Sequence, residues 1–274
     1  MTDSTRLEPL LDLDDDRRAA LARVLESAEA ALGAVRYGSR LRVGVADVVL
    51  NPDSPLASGA RATGLDGAPA AVEATLRALP AVFAEAGLPR VLVHASPSSA
   101  PELPLLAEEL GYDAVEERTV LLLTRPHLLV EGEPGRSTVP LPEALEDQVA
   151  ALVAEAHGWS RGVERRLHRV LGHRFDDPRH VAVAALGPEG ELVGVATGFL
   201  AGEVGQVVDA AVRPRHRRRG AGSALVSAVA AELLLRGAAT VWSTAEAGGR
   251  AERLGASLGL EPAYDAVSYV LGLD

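Results

Sequence analysis

Residues 212–225, which run Val212-Arg213-Pro214-Arg215-His216-Arg217-Arg218-Arg219-Gly220-Ala221-Gly222-Ser223-Ala224-Leu225, constrain this chain more than any other stretch. An apolar run, Val207 to Val212, leads into them, and a helical pattern from Ala221 to Leu235 leads out. The order is strand, basic glycine turn, helix start. Glycine lacks a Cβ, so the turn can be sharp and its backbone can lie close to a ligand. The first amides of the helix have no internal acceptor, and the helix dipole puts partial positive charge at that end. Such a junction suits phosphate. No Gly-Lys-Ser/Thr follows and the glycine spacing is not that of a dinucleotide fold, so neither ATP nor NAD is indicated.

The run resembles the pyrophosphate loop of the GNAT superfamily of acyl-CoA N-acyltransferases, Gln/Arg-x-x-Gly-x-Gly/Ala, here Arg217-Arg218-Arg219-Gly220-Ala221-Gly222. Val212-Arg213-Pro214 resembles the family's Val-x-Pro exit from the central strand, and Leu225-Val226 falls in the following helix as in the family. The resemblance implies an acetyl-CoA site built from Val212, Arg217, Arg218, Arg219, Gly220, Ala221, Gly222 and Ser223, with acetyl-CoA as co-substrate.

Composition narrows the rest. The 274 residues, 47% hydrophobic, suffice for one large domain or two ordinary ones. With no cysteine, disulfides, thiolate metal sites and a cysteine nucleophile are excluded. Every one of the 27 basic residues is arginine, a bias that reads as a GC-rich bacterial genome, and the protein cannot acetylate lysines of its own. The net charge of -11 is concentrated in the first half, where residues 1–135 carry 12 Arg against 21 acids. Only 3% of residues are aromatic, so a broad nucleic-acid face is not expected. The acidic start, Met1 to Asp16, has no apolar core, and no apolar run approaches about 18 residues, so a cytoplasmic protein without signal peptide or membrane span is expected.

The fold class expected is α/β with a mixed sheet flanked by helices, arranged as two tandem GNAT-like units. Glu131-Gly132-Glu133-Pro134-Gly135-Arg136 is the linker candidate, which places a first domain at 1–130 and an acetyltransferase domain at 137–274. After the linker the pattern predicts an extended piece, two helices, three strands from His180 to Val212, the anion loop and its helix, a strand at Ala239–Thr244, a helix at Gly249–Leu258 and a last strand at Val267–Leu273. The first half echoes this order: Val91 to His94, Leu105 to Tyr112 and Arg118 to Thr124 parallel the end of the second. Where its phosphate loop is expected, after Val45 to Leu50, the chain reads Asn51 to Ala60, with two prolines and Asp53 and no Gly-x-Gly. Proline removes amide donors and Asp53 repels phosphate, so the first unit reads as a degenerate copy that is structural or walls the acceptor cleft.

In the family a bound amine attacks the thioester directly while a backbone N–H at the end of the central strand holds the acyl oxygen. Val212 or a neighbour has that place here. Asp209 is the ionisable residue of Val207–Val212 and is either the general base or a strand-face carboxylate satisfied by an arginine; Gln206 can orient water only. Glu155, His157 and Trp159 end the first helix on the acceptor side. Many GNAT proteins carry Ala-x-x-Leu-Tyr before the last strand, and that tyrosine protonates the thiolate; Gly255 stands there in this chain, leaving the role to Tyr264 or a water. His168 and His173 have no metal-ligand spacing, and no metal is expected. The function expected is N-acetyl transfer from acetyl-CoA to a primary amine of a small molecule or peptide; the alternative is a CoA-binding pseudoenzyme or regulatory subunit.

Overall fold

The structure is a computed structural model that describes residues 13–35, 38–55, 59–130 and 137–273, so the expected linker lies outside the described residues. In chain order the elements are α1 (Asp15–Gly33), β1 (Ser39–Val43), β2 (Ala46–Leu50), β3 (Ala60–Thr63), α2 (Pro69–Glu85), β4 (Arg90–Ala95), α3 (Leu103–Glu109), β5 (Asp113–Leu123), β6 (Ser137–Pro140), α4 (Glu146–His157), α5 (Arg161–Phe175), β7 (His180–Leu186), β8 (Leu192–Ala201), β9 (Val204–Val212), α6 (Ala221–Leu235), β10 (Thr240–Glu246), α7 (Arg250–Ser257) and β11 (Leu260–Gly272). They form two compact units, Met1–Leu121 with Thr244–Glu252 and Pro262–Asp274, and Leu122–Ser243 with Arg253–Glu261.

This division departs from the expected boundary. In the first unit the strand order is β1-β2-β3-β4-β11-β5. β11 runs antiparallel to β4, with Val267 opposite Ala95 and Gly272 opposite Arg90, so the C-terminal strand serves the N-terminal unit. The reason is local: β3 and β4 are joined by one parallel bridge, Ala62 to Val93, and β4 takes its long ladder from its other edge. α2 starts with Pro69 at its first turn, where a missing N–H costs nothing, and its Val72, Leu76, Leu79 and Phe83 are fully buried on one face against Val91 and Val93. Each such side chain contributes about 1.5–3 kcal/mol of transfer free energy. The segment 51–60 connects β2 to the antiparallel β3, and the turn from strand to helix lies instead at Thr63–Pro69.

The second unit orders its strands β10-β9-β8-β7-β6. α6 packs across β7, β8 and β9, and it is apolar on all sides because it is buried along most of its length. Glycines on the sheet set the distance of approach. A Cβ on Gly198 would stand 2.6 Å from Cγ1 of Val229, and one on Gly194 2.9 Å from Cδ1 of Leu225. Gly198→Val is therefore expected to destabilise the protein by about 1–3 kcal/mol, the usual cost of overpacking. Urea unfolding that gives the parent midpoint would contradict this close seating of α6.

Candidate active site

The central strand of the second unit is irregular in a useful place. Thr197 faces Asp209 across the β8–β9 ladder, but Gly198 faces Val207, so Val208 is the extra residue of a β-bulge. On its other edge β9 pairs in parallel with β10 only from Val204–Gln206 to Thr240–Trp242. Beyond Gln206 no backbone ladder joins the two strands among the described residues; Ser243 Oγ still donates to the Val207 carbonyl at 3.1 Å, and the seam opens past that bond.

Backbone direction follows from the register. Arg213 N–H donates to the Val193 carbonyl at 3.0 Å, which makes Arg213 and Val193 a hydrogen-bonded pair. Antiparallel pairs alternate, so the next pair, Val212 and Gly194, directs its N–H and C=O groups away from the partner strand. The Val212 N–H therefore faces the open seam. Its carbonyl accepts from Nε of Arg217 at 3.0 Å, and the same guanidinium reaches the Ala156 carbonyl at the end of α4. Arg213 likewise donates to the Leu192 carbonyl at 2.9 Å and pairs with Glu155. Arg217 and Arg213 thus tie the end of β9 to the end of α4.

The turn after β9 is shaped for close approach. Arg218 has φ of 60°, and no other described non-glycine residue has a positive φ; Gly220, at 77°, caps α6 in the left-handed region. A non-glycine residue in that region stores strain that often marks a functional loop. Ala224 N–H makes the first helical bond, to Gly220 O at 3.0 Å, so the amides of Ala221, Gly222 and Ser223 are the unpaired donors of the helix start. A Cβ on Gly222 would meet nothing nearer than Cδ2 of Leu254 at 3.9 Å, so internal packing does not require glycine there.

At the end of α4, Gly158 closes the helix with φ of 69° and His157 stacks on Trp159, ring centroids 4.7 Å apart. Nε2 of His157 lies 3.6 Å from Oδ1 of Asp209, an electrostatic contact just beyond hydrogen-bond length. The Asp209 carboxylate raises the His157 imidazole above its ordinary value, against partial desolvation and the charge of Arg217. Behind Asp209, the buried Arg174 is lowered to about 10 by burial, with Asp209 acting in the opposite sense. His180, buried among Arg174, Asp177 and Arg179, is lowered to about 3 by burial and stays neutral. Gln206 is buried, and its Oε1 finds no donor among the described residues. The pairing of His157 with Asp209 was not legible in the sequence, which offered the two residues separately.

Two expected positions fall elsewhere. Tyr264 belongs to the first unit, where it is buried, and its hydroxyl is raised well above the ordinary value by that burial and by Glu26 and Glu29. Gly255, on α7, is buried and brings no side chain to the seam. Among the described residues no group of three acidic or histidine side chains could hold a metal, and no helix is long and apolar enough to cross a membrane.

Residues 147–259 match the Acetyltransferase (GNAT) family, and the chain carries a GNAT domain. No curated protein matches the sequence significantly. Among solved structures, a GCN5-related N-acetyltransferase from Kribbella flavida is 22% identical with a TM-score of 0.71, over 91% of this chain and 95% of its own. A tandem GNAT protein from the clavulanic acid biosynthesis pathway is 15% identical with a TM-score of 0.64, over 97% of this chain and 98% of its own. A GCN5-related N-acetyltransferase from Sphaerobacter thermophilus is 20% identical with a TM-score of 0.58, over 95% of this chain and 94% of its own. These likenesses show the fold, that of tandem GNAT proteins.

Proposed function

We propose that the second unit transfers an acetyl group from acetyl-CoA to an amine in a ternary complex. The observation that carries this reading is the open seam, into which the Val212 N–H points at the end of a bulged strand, directly before the strained Arg218–Gly220 turn and the free amides of α6. The diphosphate of CoA sits on the amides of Ala221, Gly222 and Ser223, with Arg218 and Arg219 beside it. The amine nitrogen attacks the thioester carbon, and the oxygen gains charge opposite the Val212 N–H. The C–S bond then breaks, and the thiolate leaves without a side-chain acid; a thiol pKa of about 8.5 makes that tolerable near neutral pH.

His157 takes the proton from the amine. Its Nε2 faces Asp209 at 3.6 Å, and the carboxylate charge favours a proton on that nitrogen, which leaves Nδ1 as the base; the tautomer is assigned from the partner. Asp209 is thus a positioning residue for His157 rather than the acceptor of the proton.

Gly222→Val tests the loop. Valine at a second helical position costs no more than glycine, and an added Cβ meets nothing within 4 Å but Cδ2 of Leu254, so stability is expected to hold. Affinity for CoA, measured by calorimetry, is expected to fall by roughly 10-fold or more, because the side chain stands where the diphosphate must approach the backbone. Unchanged affinity would remove CoA from this site. A second reading, CoA binding without turnover, is favoured by Gly255, and acetyl transfer to no member of an amine panel, with one CoA bound per chain, would establish it.

A further inference from the structure

The first unit buries a cluster of ionisable side chains that an acyl-transfer reading leaves unused. Glu26 is 6% exposed, Glu29 7% and Arg61 5%, and the buried His94 and Tyr264 complete the set, with the half-buried Arg118 at its edge. Effective penalties of several kcal/mol per buried ion mean that a purely structural copy would be packed more cheaply with apolar side chains. Such a concentration of buried charge marks a functional site.

Of this cluster Glu26 also lines a cavity of about 290 Å³, just under the usual size range of small-molecule sites. Its floor is polar. Oε1 and Oε2 of Glu26 accept from the hydroxyls of Ser96 at 2.5 Å and Ser98 at 2.9 Å, which fixes the carboxyl, and Thr63 is buried beside it. Burial raises the Glu26 carboxyl, and Glu29 adds to this, while the two serines and Arg61 oppose it. The rim carries both signs. Arg23 stands one turn before Glu26 on α1 and makes no ion pair or side-chain hydrogen bond among the described residues; nor does the Asp66 carboxylate. Arg42 is held by Asp47 at 3.2 Å, whereas Arg40 is only loosely held, 3.9 Å from the same carboxylate.

We propose that this cavity binds a small zwitterion of the α-amino acid type, its carboxylate on Arg23 and Arg40 and its ammonium on Glu26 and Asp66. A plain anion would meet the fixed Glu26 carboxyl at the floor, and a divalent cation would meet the arginines at the rim. The site lies wholly within the first unit and does not depend on acyl transfer by the second.

The test is calorimetry on the full chain without CoA, using L-serine, L-glutamate and L-ornithine as probes and acetate and methylamine as controls that carry one charge each. At least one amino acid is expected to saturate a single site, with both controls roughly 10-fold weaker or worse. Arg23→Ala, at an exposed position, and Glu26→Gln, which keeps an acceptor for one serine, are each expected to weaken that probe roughly 10-fold. Arg165→Ala, on α5 of the second unit, is expected to change nothing. Absence of binding by all three amino acids overturns the proposal, as does acetate that binds as tightly as they do, or parent affinity in both cavity variants.

Discussion

His157→Ala is expected to lower kcat about 10²–10⁴-fold while CoA affinity stays at the parent value, the range removed with a positioned general base. The sign of the pH dependence follows from Asp209. The active imidazole is neutral, so the rate rises with pH through the value for His157, which the Asp209 carboxylate holds above 6.5. Asp209→Asn removes that carboxylate charge. Its acid limb should move to lower pH, and its plateau should fall because the ring is no longer fixed by a charge at Nε2. A structural role for Asp209 would lower activity without moving the limb. If His157→Ala leaves kcat within about twofold, a water carries the proton and the dyad has no chemical role.

How much of this was legible in the sequence differs between the units. In the second, the loop residues, the three strands from His180 to Val212 and the strand before α7 carry strong local signals, and the structure has β7, β8, β9 and β10 at those places. The bulge at Val208 left no mark, because an apolar run with one extra residue reads like any other strand. The junction of Arg217 with the Ala156 carbonyl was equally hidden: an arginine beside Gly-x-Gly looks like a phosphate ligand until its guanidinium is seen to be occupied by two carbonyls.

In the first unit the echo was aligned by one strand too few. Val45 to Leu50 reads as the strand before the loop, yet β2 is followed by β3, whose four residues are too short to stand out. The turn at Thr63-Gly64-Leu65-Asp66-Gly67-Ala68-Pro69 did carry a signal, a proline at the first helical turn after two glycines. Pro262 hid the start of β11, because proline in a run demotes it as a strand, and no local signal says that a C-terminal strand will pair with β4. Burial of Glu26 and Glu29 is likewise invisible on a helix whose neighbours Arg23 and Ser27 are exposed.

Glu29→Ala is expected to destabilise the protein by about 3–5 kcal/mol, the cost of leaving one partner of a buried pair uncompensated. Arg61 is the partner left behind; its Nε already lacks an acceptor among the described residues. Against a domain stability of about 5–15 kcal/mol that is a large share, visible as a lower urea midpoint. Replacing both, Glu29→Leu with Arg61→Met, should be neutral or stabilising by about 1–4 kcal/mol, since two desolvation penalties vanish together. The pH sign separates the two explanations. Burial alone would raise the Glu29 carboxyl, but the Arg61 guanidinium reverses this and holds it below 4.5, so its contribution is present above that value and lost as pH falls through the folded one. Glu26 is raised and contributes in the opposite direction, so the difference between parent and double variant, not the parent curve alone, isolates the pair. A double variant that is more stable yet no longer binds an amino acid would show that the buried charges are kept for the cavity rather than for the fold. Loss of stability in the double variant equal to that of Glu29→Ala would show instead that the pair is a packing element of the first unit.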